Sequence, residues 1–137
     1  MDSSFLIKQA IEAQGQAYAP YSRFRVGAAL LCADGSIYTG CNVENAAYSA
    51  ANCAERTAVF KAVSEGRRRF LAIAIAGNLE GRENERELCA PCGVCRQVLS
   101  EFSDGDLRVI LARSETKYEE YTLKELLPLQ FSRNNLQ

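Results

Sequence analysis

Histidine is absent from these 137 residues, and so is tryptophan. The first absence excludes every Ser–His and Cys–His nucleophilic pair, and it leaves cysteine, aspartate and glutamate as the only usual side-chain metal ligands. Proline is scarce, with three residues, and there are only nine glycines, so the composition is that of an ordinary globular chain rather than a disordered one. Charge of either sign is not in excess. Sixteen basic and 17 acidic residues leave a net charge of −1, without the electrostatic footprint that grips a phosphate backbone, which argues against a nucleic-acid polymer as partner. No apolar run reaches membrane-spanning length, which argues against a membrane partner. The opening MDSSFLIKQAIEAQ lacks both the charged n-region and the apolar run of a secretion signal, so a cytoplasmic location is expected. No repeat, linker or low-complexity tract divides the chain, and its length suits one domain over residues 1–137.

Six cysteines stand against these absences. In a reducing compartment thiols are seldom tied up in structural disulfides, so they point to metal ligation or redox chemistry.

Apolar spacing predicts a first amphipathic helix over Ser3 to Ala17, then a break at Tyr18-Ala-Pro-Tyr-Ser22. Two strands, Phe24 to Cys32 and Ser36 to Cys41, flank the turn Ala33-Asp34-Gly35 as a hairpin. Helical spacing returns from Asn52 to Glu65, ending near Gly66. Leu71 to Ala76 is a short apolar run suited to a buried central strand, and the charged stretch Leu79 to Leu88 reads as an exposed loop. Pro91 suits the first turn of a helix running to about Phe102. Strands at Leu107 to Ala112 and Tyr118 to Tyr121 and a short helix at Thr122 to Leu127 complete the chain. Helices alternating with strands imply an α/β chain whose sheet is covered on both faces, with functional groups gathering at helix starts.

Two of those helix starts carry thiols: Cys53-Ala-Glu55-Arg56, and Pro91-Cys92-Gly-Val-Cys95-Arg96. A spacing of three puts Cys92 and Cys95 on one face of a first turn, and helix N-termini favour the thiolate that binds metal. With Cys53 as third ligand the set suits zinc, and three protein ligands leave a fourth tetrahedral corner for water. Three other readings stay open at this point. Cys92 and Cys95 alone match a redox dithiol, paired ligands match a structural ribbon, and Cys89, three residues before Cys92, is spaced to close the fourth corner. Cys32 and Cys41 fall on strands and read as small buried hydrophobes. Glu55 suits a proton relay beside an acidified water, although on a regular helix it points away from Cys53. Arg56 and Arg96 each follow a proposed ligand. Three thiolates over-neutralise zinc, and guanidinium groups bonding the sulfurs would restore its acidity.

These segments resemble the small zinc-dependent cytidine deaminases of the homotetrameric, three-cysteine type. Cys-Ala-Glu and Pro-Cys-x-x-Cys form the zinc deaminase signature with cysteine in place of the usual histidine. Tyr18-Ala-Pro-Tyr-Ser22, Phe24-Arg-Val-Gly-Ala-Ala-Leu30, Gly40-Cys-Asn-Val-Glu-Asn-Ala-Ala-Tyr48, Cys53-Ala-Glu-Arg-Thr57 and Pro91-Cys-Gly-Val-Cys-Arg-Gln97 extend the likeness over nearly the whole chain. The resemblance implies an α/β fold, a three-layer α-β-α sandwich around a mixed five-stranded sheet. It further implies that Cys53, Cys92 and Cys95 hold Zn2+, that Glu55 shuttles protons while hydroxide attacks C4, and that the reaction serves pyrimidine salvage. By the same resemblance Phe24 lies against the base, Asn42 and Glu44 bond the ribose hydroxyls, Ala54 contacts the substrate, and Tyr48 and Phe131 complete a neighbouring subunit's site. Two places depart from the pattern: the segment from Asn78 to Cys89 is longer and more charged than usual, and Cys89 is not a familiar ligand position. The rivals are a deaminase of a modified aminopyrimidine nucleoside such as blasticidin S, and a non-catalytic zinc-binding module.

Overall fold

The computed structural model describes residues 2–136. Helix α1 covers Ser3–Gln14 and is capped by Asp2, whose side chain accepts from Ser4 N–H. It stops three residues short of the expected Ala17, at Gly15, a poor helix former. Strands β1 (Phe24–Cys32) and β2 (Ile37–Cys41) form the expected hairpin, antiparallel with Leu31 opposite Ile37. Then come α2 (Ala54–Ser64), β3 (Phe70–Leu79), α3 (Gly93–Glu101), β4 (Arg108–Ala112), β5 (Tyr118–Thr122) and α4 (Leu123–Leu126). Among the described residues, no helix is long and apolar enough to cross a membrane.

The five strands lie in the order β2-β1-β3-β4-β5, parallel only between β3 and β4, so the sheet is mixed as expected. Alternation along the strands sends two sets of side chains to opposite faces. Ala29, Ala72, Ala74, Ala76, Ile110 and Ala112 pack against Leu6, Ile7 and Ala10 of α1. On the other face Leu30, Ile73, Ile75, Val109 and Leu111 pack against Ala54, Ala58, Val59 and Ala62 of α2 and Leu99 of α3. That is the three-layer α-β-α sandwich, and it matters for function that α2 and α3 share one face.

β3 runs three residues beyond the expected Ala76. Gly77, Asn78 and Leu79 pair with Val26, Arg25 and Phe24, a register that apolar patterning misses because Asn78 is polar. Asn78 is buried and satisfied: its amide bonds the Leu79 carbonyl, and its oxygen accepts from Gln14, also buried. Gln14 donates as well to the Arg25 carbonyl and accepts from Arg86 at 3.2 Å. The stretch expected to be a solvated loop is therefore largely exposed yet pinned to the end of α1 by Arg86, with a single 3-10 turn at Glu83–Glu85.

Gly40 of β2 sets the height of α2. A Cβ there would lie 2.4 Å from the Ala54 carbonyl oxygen and 2.5 Å from the Ala58 nitrogen, both backbone atoms that move only with the helix. Gly40→Ala is expected to cost about 1–3 kcal/mol, the usual penalty of overpacking, read as a lower urea midpoint. Weaker metal retention should accompany it, because the displaced end of α2 carries Cys53.

Candidate active site

Cys53 and Cys92 occupy the N-cap positions of α2 and α3, both extended, and neither makes a capping hydrogen bond. Serine, threonine, asparagine or aspartate usually fills this position and turns its side chain onto the first turn. Here the sulfurs are left free for another partner, at helix ends whose partial positive charge favours an anion. Pro91 accordingly lies one residue outside the cap rather than within the first turn, and Cys92 and Cys95 are related as cap and third helical residue. Thr57 secures the α2 entry, donating to the Cys53 carbonyl at 3.1 Å and accepting from Asn52 at 3.2 Å.

The three sulfurs of Cys53, Cys92 and Cys95 all lie within 4.8 Å of one another, Cys53 and Cys92 at 3.9 Å. Cys89 is not a member of that group. Arg56 donates to Cys53 Sγ at 3.1 Å, as the sequence suggested. Arg96 does not take the matching role: its guanidinium bonds the Pro91 carbonyl at 2.8 Å and the Leu126 carbonyl at 2.7 Å. As the fourth residue of α3 it reaches the loop and α4 instead of a thiolate, so it braces the segment that carries Cys92.

The protein's own hydrogen bonds and charges prepare the thiols for a cation. A bond from Cys95, opposed by burial and aided by Arg56, pulls the Cys53 thiol down to about 5. The same bond, then burial, pushes Cys95 up. Binding of a soft divalent ion displaces the thiol protons that remain. Zinc fits this donor set: three mutually close sulfurs, one of them ionised near neutral pH, with a guanidinium to offset their charge.

Glu55 is only 4% exposed. Burial, then the charge of Cys53, raises its carboxyl to about 7, against the lowering effects of its own backbone N–H and Arg56. Cys53 precedes α2 in extended backbone, so regular helical spacing does not fix its angle to Glu55. An acid balanced near neutral pH can both take up and release a proton.

The remaining expected residues divide into groups. Ala54 packs fully into the core, backbone included, so the single chain offers a ligand no part of it. Asn42 already bridges β1, accepting from Val26 N–H at 2.9 Å and donating to the Phe24 carbonyl at 2.8 Å. Glu44 accepts from the Tyr21 and Ser22 backbone and from the Ser22 hydroxyl, and the Ser22 bonds hold its carboxyl below the usual range. Glu44 and Tyr48 share an open cavity of about 420 Å³ with Tyr21, Ser22, Asn45 and Ala51. Phe24 faces a different one, of about 350 Å³, beside Gly77 and Leu88. Tyr48 is 85% exposed and Phe131 61%, although Gln97 of α3 holds the Phe131 carbonyl at 2.8 Å. Neither aromatic closes over the sulfurs of its own chain. Sequence reasoning missed the buried Gln14–Asn78 pair and the part played by Gly77; glycine and asparagine directly after an apolar strand run were the available signal.

The family model described as the cytidine and deoxycytidylate deaminase zinc-binding region matches residues 1–111. A curated cytidine deaminase from Sporosarcina psychrophila is 52% identical over 136 residues, 99% of this chain and 96% of its own. The crystal structure of a cytidine deaminase from Burkholderia pseudomallei superposes with a TM-score of 0.85 at 45% identity, covering 96% of this chain and all of that one. A blasticidin-S deaminase from Bacillus cereus is more distant, 30% identical over 115 residues, 82% of this chain and 81% of its own.

Proposed function

From the premise that this chain belongs to the zinc-binding cytidine and deoxycytidylate deaminase family, we propose that it hydrolyses cytidine and deoxycytidine to uridine and deoxyuridine, releasing ammonia in pyrimidine salvage. Membership makes it a zinc-dependent enzyme of the cytidine deaminase type. The observation that carries the reaction is a buried glutamate balanced near neutral pH and within reach of the charge of Cys53, one of three converging cysteine sulfurs.

Cys53, Cys92 and Cys95 would hold the zinc, which when bound would supply an acidified water close to neutral pH. Every other task falls to the chain. Glu55 takes one proton of the attacking water and delivers it to N3 of the pyrimidine, then takes the second from the hydroxyl now on C4 and passes it to the departing amine, which leaves as ammonia. Arg56 keeps the Cys53 sulfur from over-neutralising the metal, and Arg96 fixes the loop that precedes Cys92. Phe24 offers an aromatic surface to the base. Asn42 still has one N–H and one lone pair free, and Glu44 one or more lone pairs, so both can bond ribose hydroxyls while anchored, Asn42 by β1 and Glu44 by the turn at Tyr21 and Ser22.

The exposed Tyr48 and Phe131 support a homotetramer in which each subunit completes a neighbour's pocket. A cytosolic setting agrees with six free thiols, three of which the metal needs reduced.

The direct test is metal analysis of the purified protein together with the ultraviolet absorbance change of cytidine. One zinc per chain and steady loss of cytidine are expected. Stoichiometric zinc without turnover of cytidine or deoxycytidine would favour the non-catalytic zinc-binding module.

A further inference from the structure

The deaminase reading leaves Cys89 without a task, and its surroundings give it one. The thiol is half-buried and stands apart from the three-sulfur cluster. It and the Phe24 ring edge both crowd the space over Gly77 of β3: a Cβ on Gly77 would lie 2.9 Å from Phe24 Cε1 and 3.0 Å from Cys89 Sγ. Glu55 and Cys53 are near enough for their charges to add to burial in pushing the Cys89 thiol up to about 12. The wall is also held in place. Arg86, three residues before Cys89, is bonded to Gln14, whose amide joins the Arg25 carbonyl and Asn78.

Resting on the deaminase function proposed above, we infer that Cys89 is a specificity-determining residue, a wall of the base pocket beside Phe24 that limits how large a substituent the pyrimidine ring can carry. A small side chain over a side-chain-free Gly77 leaves room for an unmodified ring. Cys89 is not a metal ligand.

The test compares Cys89→Ala and Cys89→Leu with the unsubstituted enzyme, measuring zinc content and kcat/KM for cytidine, 5-methylcytidine and N4-methylcytidine. Zinc should be retained in both variants. Cys89→Ala should raise the kcat/KM of at least one methylated substrate relative to cytidine by about tenfold, the usual worth of a methyl group in a fitted pocket, and Cys89→Leu should lower it by a similar factor. Unchanged ratios in both variants would overturn the inference and make Cys89 a filler residue. Loss of zinc from Cys89→Ala would also overturn it, by making the thiol a ligand. If the unsubstituted enzyme turns over none of the three substrates, the deaminase reading itself fails and takes this inference with it.

Discussion

Glu55→Gln is expected to retain zinc and to lose about 10²- to 10⁴-fold or more in kcat on cytidine, the range attributed to a positioned general acid–base. Glutamine has nearly the same shape, so the packing around a side chain that is 4% exposed is preserved and the three thiols keep their positions. What disappears is the capacity to hold and pass on a proton. The variant should also be no less stable. In the metal-free protein burial raises the Glu55 carboxyl from the usual carboxylate range to about 7, so stability falls as pH rises through that window, a loss the amide does not suffer. Melting temperature of the metal-free protein at pH 8 should therefore be equal or higher in Glu55→Gln. Cytidine turnover within tenfold of the native rate would remove Glu55 from the mechanism.

Cys53→Ala should be more damaging still, because it takes away a ligand and an anion together. Metal analysis after dialysis should find little or no zinc, with affinity reduced by more than the 10–100-fold that loss of an outer-shell partner brings, and deamination should fall to background. Helix capping is not the reason, since Cys53 makes no capping bond. Arg56 adds to the damage: its Nε is already buried without a partner, and the substitution strips its other nitrogen of the sulfur acceptor as well. A lower melting temperature is expected in consequence. Full zinc occupancy in Cys53→Ala would mean that the ion sits elsewhere, Cys89 being the first place to look.

Much of this arrangement can be read in the residues alone. β1 coincides with its expected limits because its apolar run is bounded by clear turn residues, and the hairpin follows from Ala33-Asp34-Gly35. The three ligand cysteines are brought together as their positions at helix starts suggested. Tertiary partners explain the misses. The extension of β3 through Gly77 and Asn78 depends on Gln14, 64 residues away, which satisfies a buried amide that no local pattern marks. Pro91 fits a first helical turn locally, but Cys92 takes the cap and displaces it outward. Arg96 follows a ligand in sequence yet finds its carbonyl in α4, 30 residues on, and only the packed chain shows that preference. The depth of Glu55 is of the same kind: a glutamate in a first turn is ordinarily solvated, and it is the layer of α2 against the sheet that removes it from water.

The two capping cysteines are 39 residues apart, and β3 runs between them. Before that central strand has paired on both edges, α2 and α3 have no common platform, so the ion cannot be gripped by all its ligands until most of the chain has folded. Catalytic competence is therefore a late event in the life of each molecule. Nascent or partly unfolded chains, whatever their thiol content, are spared from sequestering zinc in a working pocket.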